Sequence, residues 1–308
     1  MINQFKPTSS SLGHKYDSFK NDDSMLDEML NDPRFRAILE KKGITREDII
    51  KNFGLVRSCY EDMTTCDNCP GYDKCPKEEN PHYMSELTFV GDQLSRITSP
   101  CPKQEEKDAL NENYLFSDFP SEWKEKKVET LSKSKTVQKV LLPLRKGSSN
   151  SFKGLYYVKG EEGSGKSYIV ALFCNWASRK GKKIAFIDAS RRIDELKNSS
   201  IVDKEGFERT FATLVDVDIL VIDSFGNEFK TDYIRDKILR PLFQERVRNE
   251  KMTIFTSEYS YDDLTEMYAI GKSTAKGNLL QGESFVKIIS SAAGPMIEVN
   301  KGVDRFIQ

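Results

Sequence analysis

The sequence predicts an α/β protein. A phosphate-loop domain with a central, mainly parallel sheet follows a small helical domain that binds a metal ion. Three observations predict this. Residues Gly160, Glu161, Glu162, Gly163, Ser164, Gly165, Lys166 and Ser167 read G-x-x-x-x-G-K-S. Further on, Ile219-Leu220-Val221-Ile222-Asp223 is an apolar run that ends in a carboxylate. Before both, Cys59, Cys66, Cys69, Cys75 and Cys101 crowd into one region and leave Cys174 apart.

Phosphate chemistry explains the loop spacing. Glycine adopts positive φ without a Cβ clash, so successive N–H groups can point inward at phosphate oxygens. Lys166 is placed to reach the β- and γ-phosphates, and the Ser167 hydroxyl to ligate Mg²⁺. The helix that starts here adds its N-terminal dipole. The candidate nucleotide-binding set is the eight loop residues with Tyr168 and Asp223. Such a motif needs a strand before it and a helix after it. Residues 154–158 (GLYYV) are a short apolar, aromatic strand. Residues 168–179 are almost uninterruptedly apolar, as in a buried helix, and Gly181 stops them. Asp223, at the end of its strand, is expected to hold Mg²⁺ through water.

A chain of 308 residues allows about two domains. With 47 basic and 48 acidic side chains the formal net charge is 47 − 48 = −1, so no global basic field announces nucleic acid. Any DNA contact must use a local surface. No stretch approaches the ~18 apolar residues of a membrane span. The N-terminus lacks the apolar core of a signal peptide, so a cytoplasmic protein with no membrane partner is expected. In a reducing compartment, clustered cysteines point to metal rather than disulfides.

In chain order, residues 1–25 are polar and read as a flexible arm. Residues 26–105 form the small domain. Ser24 and Asp27 resemble a capping box before the stripe Met25, Leu26, Met29 and Leu30. Asp32-Pro33 interrupts that stripe, and Phe35, Ile38 and Leu39 resume it. Thr45 caps a short helix carrying Ile49, Ile50 and Phe53. The C-x-x-C of Cys66 and Cys69 can present two thiolates to one ion. Cys75, His82 and Cys101 compete for the remaining places of a tetrahedral Zn²⁺ site, with Cys59 a weaker candidate. A domain with little apolar core gains from such a metal staple. Residues 106–130 are charged, lack a clear period and read as a linker.

Residues 131–308 form the phosphate-loop domain. Residues 136–144 read as a helix broken at Pro143. Residues 182–188 read as a second strand, followed by a helix capped by Ser190 and another over 204–214. A long amphipathic helix is expected over 232–250, and further strands over 252–256 and 295–299. Strands alternating with helices give a parallel sheet covered on both faces, with nucleotide at the C-terminal strand ends.

With these pieces in place, the chain resembles the bacterial replicative helicase loaders of the DnaI/DnaC type, most closely the DnaI branch. The resemblance covers nearly the whole length. It rests on C-x-x-C-x₅-C-x₆-H with the later Cys101-Pro102, the loop GEEGSGKS, the segment VIDSFGNE, Ile234-Arg235-Asp236, and FTSEYSYDDL. It implies a C-terminal AAA+ ATPase domain and an N-terminal zinc-binding, helicase-interaction domain. It implies ATP, Mg²⁺ and Zn²⁺ as ligands. The implied partners are the hexameric replicative helicase, held through the N-terminal domain, and single-stranded DNA, with self-association through the AAA+ domain. Lys166 and Asp223 take the implied catalytic roles.

Three departures from the family pattern bear on hydrolysis. Ser224 stands where a second acid often follows the Walker B Asp, leaving Glu228 as the candidate to polarise water. Glu258 stands at the sensor position usually held by Asn, and a carboxylate cannot donate to a γ-phosphate unless protonated. No Arg occupies the usual finger position; Lys287, Lys276 and Lys272 lie nearest in sequence, and Lys lacks the bidentate fork. Two alternatives therefore stand beside an ATP-hydrolysing loader. One is a non-hydrolysing, ATP-switched adaptor of the same fold. The other is a different P-loop protein, such as a transposition-helper ATPase or a small-molecule kinase.

Overall fold

The computed structural model describes residues 23–78, 80–128, 134–149 and 152–299. The expected arm therefore lies outside the described residues up to position 22. The chain divides into two compact units, Met1–Glu106 and Lys107–Gln308.

In the first unit, four helices follow the expected stripe: α1 Asp23–Asn31, α2 Pro33–Lys41, α3 Arg46–Lys51 and α4 Phe53–Asp67. Asp32 caps α2, its carboxylate accepting from the N–H groups of Arg34 at 2.9 Å and Phe35 at 3.4 Å, with Pro33 in the first turn. Thr45 and Asp48 form a reciprocal capping box on α3. The apolar faces meet in one core that includes Met29, Phe35, Leu39, Ile49, Val56 and Tyr60, with Phe35 edge-on to Tyr60 at 5.1 Å.

This unit is not purely helical, contrary to expectation. Strands β1 Tyr83–Val90 and β2 Gln93–Pro100 form an antiparallel hairpin closed by Gly91-Asp92, with Gly91 at φ +61°. Leu87 and Leu94 bring it to the helical core. The sequence signal was the two-residue Gly-Asp connection, a favoured hairpin turn. Weak hydrophobicity in the flanking runs hid it.

Among the described residues, the second unit contains a six-stranded parallel sheet in the order β3-β5-β6-β7-β4-β8. Its strands are β3 Tyr114–Ser117, β4 Leu155–Gly160, β5 Ile184–Asp188, β6 Ile219–Asp223, β7 Met252–Ser257 and β8 Ile297–Val299. Side chains alternate across it. Ile184, Phe186, Ile219, Val221, Met252 and Ile254 face one core, together with α6 Lys135–Ser149 and α7 Lys166–Ser178. Ala185, Ile187, Leu220, Ile222 and Phe255 face the other. There they meet α8 Ala189–Val202, α9 Lys204–Asp216, α10 Arg240–Arg248, α11 Tyr261–Met267 and α12 Ala275–Ala293. Burial on both faces is why the strands read as continuous apolar runs.

Four expectations change. Residues 106–130, read as linker, include the end of helix α5 Pro102–Asn113, edge strand β3 and a 3₁₀ turn at Ser121–Trp123. Buried Asn175 on α7 holds them. Its amide donates to the carbonyls of Trp123 (2.6 Å) and Lys126 (3.0 Å), and its carbonyl accepts from the Tyr114 hydroxyl (2.7 Å). These partners are distant in sequence, so no local period reveals them. Helix α6 runs on through Pro143 because Val137, Val140, Leu141 and Leu144 are buried against the sheet core. Asp188, not Ser190, caps α8 by accepting from the Arg191 N–H. The helix expected over 232–250 is a π-helical stretch, Ile234–Leu239, followed by α10. Pro241 has no N–H to offer the Lys237 carbonyl, which favours the wider winding.

Among the described residues, no helix is long and apolar enough to cross a membrane. Arg246, 1% exposed, ties the entrances of β6 and β7 together. It donates to Thr253 Oγ1 at 2.9 Å, to the carbonyls of Leu214 (2.8 Å), Val215 (2.9 Å) and Val217 (3.1 Å), and to that of Met252 at 2.5 Å. Arg246→Met leaves several buried carbonyls unsatisfied. It should lower the unfolding free energy by about 3 kcal/mol or more, read as a reduced denaturant midpoint at unchanged slope.

Candidate nucleotide-binding site

The parallel register converges on one edge of the sheet. Lys159 on β4 pairs with Ser257 on β7, and Ile222 on β6 pairs with Phe255. The phosphate loop, Asp223 and Glu258 therefore leave the C-terminal ends of three adjacent strands.

The loop has the backbone its chemistry requires. Gly163 and Gly165 have φ of 72° and 82°. A Cβ on Gly160 would lie 2.6 Å from Ser164 Oγ and 2.7 Å from the Val299 carbonyl, so the loop closes tightly over its own base. Ser164 is fully buried and its hydroxyl has no hydrogen-bond partner. Buried polar groups are normally paired, so this orphan inside a phosphate loop fits a ligand with oxygen acceptors. Lys166, 6% exposed, donates to the Glu161 carbonyl at 3.1 Å and stands 3.9 Å from Glu258 Oε1. Glu161 and Glu162 are exposed on the outside of the loop. The Tyr168 ring turns into the core, edge-on to Trp123 at 5.1 Å, so its side chain is structural.

Asp223 accepts hydrogen bonds from Ser167 and from the Thr256 hydroxyl. Burial pushes its carboxyl above the ordinary carboxylate value, against those two hydrogen bonds and the charge of Lys166. Ser167 and Asp223 thus stand together where Mg²⁺ fits, an ion that neutralises charge between phosphate oxygens. Thr256 was missed in the sequence. It lies in the segment FTSEY, but only pairing of β6 with β7 reveals that it braces Asp223. Its hydroxyl also accepts from the N–H of Ser224, which sits at φ +56°.

Glu228 is not placed to polarise water. It is 1% exposed, and its two carboxylate oxygens accept from the Gly226 N–H (2.9 Å) and the Tyr268 hydroxyl. It shapes the loop after β6 instead. Arg235 is likewise structural, bound to Asp236 and to the carbonyls of Tyr268 and Ile270. Lys272, Lys276 and Lys287 are all exposed.

In the first unit, Cys66, Cys69, Cys75, Cys101 and His82 line one cavity of about 280 Å³. Among the described residues, however, no three His, Cys, Asp or Glu side chains are gathered closely enough to hold a metal ion. The expected zinc set is therefore not assembled. The His82 ring lies flat on Tyr72, with centroids 3.8 Å apart and planes 7° apart. Cys59 does not line that cavity and faces the core, where burial raises its thiol to about 12.

The family described as IstB-like ATP binding protein matches residues 151–276. The replicative helicase loader DnaI of Bacillus subtilis is 21% identical over 288 residues, covering 88% of this chain and 89% of that protein. The chain is similar to the DnaI/DnaC-type helicase loaders. Among solved structures, one titled as DnaI has a TM-score of 0.49 at 16% identity, covering 64% of this chain and 99% of the other. One titled as the DnaC helicase loader has a TM-score of 0.44 at 24% identity, covering 59% and 100%.

Two outcomes follow from the site. Lys166→Ala should abolish tight ATP binding with folding intact, measured by titration with a fluorescent ATP analogue. Asp223 binds a cation only when ionised, and its pKa is raised. Acidification should therefore weaken Mg²⁺-dependent nucleotide binding at a higher pH than an ordinary carboxylate allows, and Asp223→Asn should remove that pH dependence.

Proposed function

We propose that this chain is an ATP-dependent loader that places a replicative DNA helicase on single-stranded DNA during replication initiation or restart. The observation that supports it most is the likeness to a replicative helicase loader along 288 residues, across both units. In this reading, ATP and Mg²⁺ occupy the loop with Lys166, Ser167 and Asp223 as their holders. The first unit contacts the helicase. The AAA+ unit meets single-stranded DNA and self-associates, and the protein works in the cytoplasm.

The reading includes one zinc ion in the first unit. The shared cavity of Cys66, Cys69, Cys75, His82 and Cys101 supports it, since thiolates and imidazole are the donors of a tetrahedral zinc site. His82, stacked on Tyr72, must give up that contact to join. Gently purified protein should carry one zinc per chain by metal analysis, and Cys69→Ser should lose it. A metal-free wild type would end the zinc reading.

A second reading, the non-hydrolysing adaptor, draws on Ser224 and on the burial of Glu228. Steady-state turnover with single-stranded DNA separates the two: a rate no higher than that of Lys166→Ala leaves the adaptor. The loader reading is tested by light scattering after mixing with the replicative helicase of the same organism. A stable complex that responds to ATP is expected, and no complex under any nucleotide condition overturns it.

A further inference from the structure

We infer that Glu258, just after β7, is the carboxylate that activates the attacking water. This deepens the ATP-hydrolysing reading above and rests on it. The position after the Walker B acid is Ser224, which carries no base. Glu228 is sealed in its loop, both oxygens engaged. At the same strand edge, Glu258 is exposed and reaches toward the phosphate loop, with Oε1 3.9 Å from Lys166 Nζ.

Its neighbours fix its backbone. Ser257 is buried, and its hydroxyl donates to the Phe225 carbonyl at 2.6 Å and accepts from the Tyr259 N–H at 3.1 Å. The Tyr259 carbonyl accepts from the Tyr157 hydroxyl at 2.8 Å. Between these anchors, the Glu258 side chain points at the cation that a γ-phosphate must claim. Once Lys166 turns to phosphate, two anionic, acceptor-only groups face one another. Water, with two O–H donors, bridges such a pair. That water is where attack begins. Its oxygen bonds to the γ-phosphorus as the bond to the bridging oxygen breaks. The bonding pair leaves with ADP, and the water's proton passes to Glu258 and then to solvent. The sum is ATP and water giving ADP, inorganic phosphate and a proton.

The Glu258–Lys166 contact has a second consequence. Nucleotide must displace it, so Glu258 opposes binding while serving chemistry. Removing the charge should therefore split the two effects.

The test compares full-length wild type, Glu258→Gln and Lys166→Ala. Each is assayed for ATP turnover with single-stranded DNA and for affinity toward a non-hydrolysable ATP analogue. Glu258→Gln should bind the analogue as tightly as wild type or several-fold tighter, and its turnover should fall about 100-fold or more. Turnover within a few-fold of wild type overturns the Glu258 assignment and leaves ATP hydrolysis standing. Lost analogue binding in Glu258→Gln also overturns it, because the carboxylate then serves binding. Wild-type turnover no higher than Lys166→Ala overturns both this assignment and the hydrolytic reading.

Discussion

The insertion of β7 between β4 and β6 is the constraint on which the site depends. The register of three adjacent parallel strands brings the phosphate loop, Asp223 and Glu258 to one edge. The Thr256 hydroxyl makes the pairing chemical as well as geometric, since it bonds Asp223 while accepting from the Ser224 N–H. At the other end of β6 and β7, Arg246 ties their entrances together. Strands β6 and β7 are thus braced to one another at both ends.

Polar groups buried in this unit are mostly paired, and each pairing has a legible task. Asn175 holds residues 114–126 to α7, and Glu228 closes the loop after β6. Ser164 in the phosphate loop and Ser178 at the end of α7 are both buried with unpaired hydroxyls, and of the two only Ser164 lies in the loop. The contrast matters because an unpaired buried hydroxyl costs about 1–3 kcal/mol in a folded protein. In the phosphate loop, a ligand with oxygen acceptors would relieve it.

Much of the fold was legible because its signals are local. The loop motif, the apolar runs of β5, β6 and β7, and the Thr45 capping box are each set by neighbours a few residues apart. The hairpin over residues 83–100 and strand β3 were not. Their stability comes from contacts with Leu87 and Leu94 in one unit and with Asn175 in the other, none of which leaves a periodic trace. Pro143 is the opposite case, a strong local signal overridden by burial of its neighbours.

At the site, the sequence by itself marked the candidate groups for phosphate and cation, because G-x-x-x-x-G-K-S and the acid ending β6 have a required spacing or strand position. Composition likewise marked the cysteine region as a unit, since five thiols lie close along the chain. Only the tertiary structure decided which carboxylate faces the loop. On paper Glu228 is the candidate and Glu258 a departure at the sensor position; folding buries the first against Tyr268 and brings the second within 3.9 Å of Lys166. Tertiary structure also decided that the five candidate zinc ligands share one cavity while remaining ungathered. The reason is the same in both cases. A side chain's chemistry is written in its type, but its direction and solvation depend on partners far away in the chain.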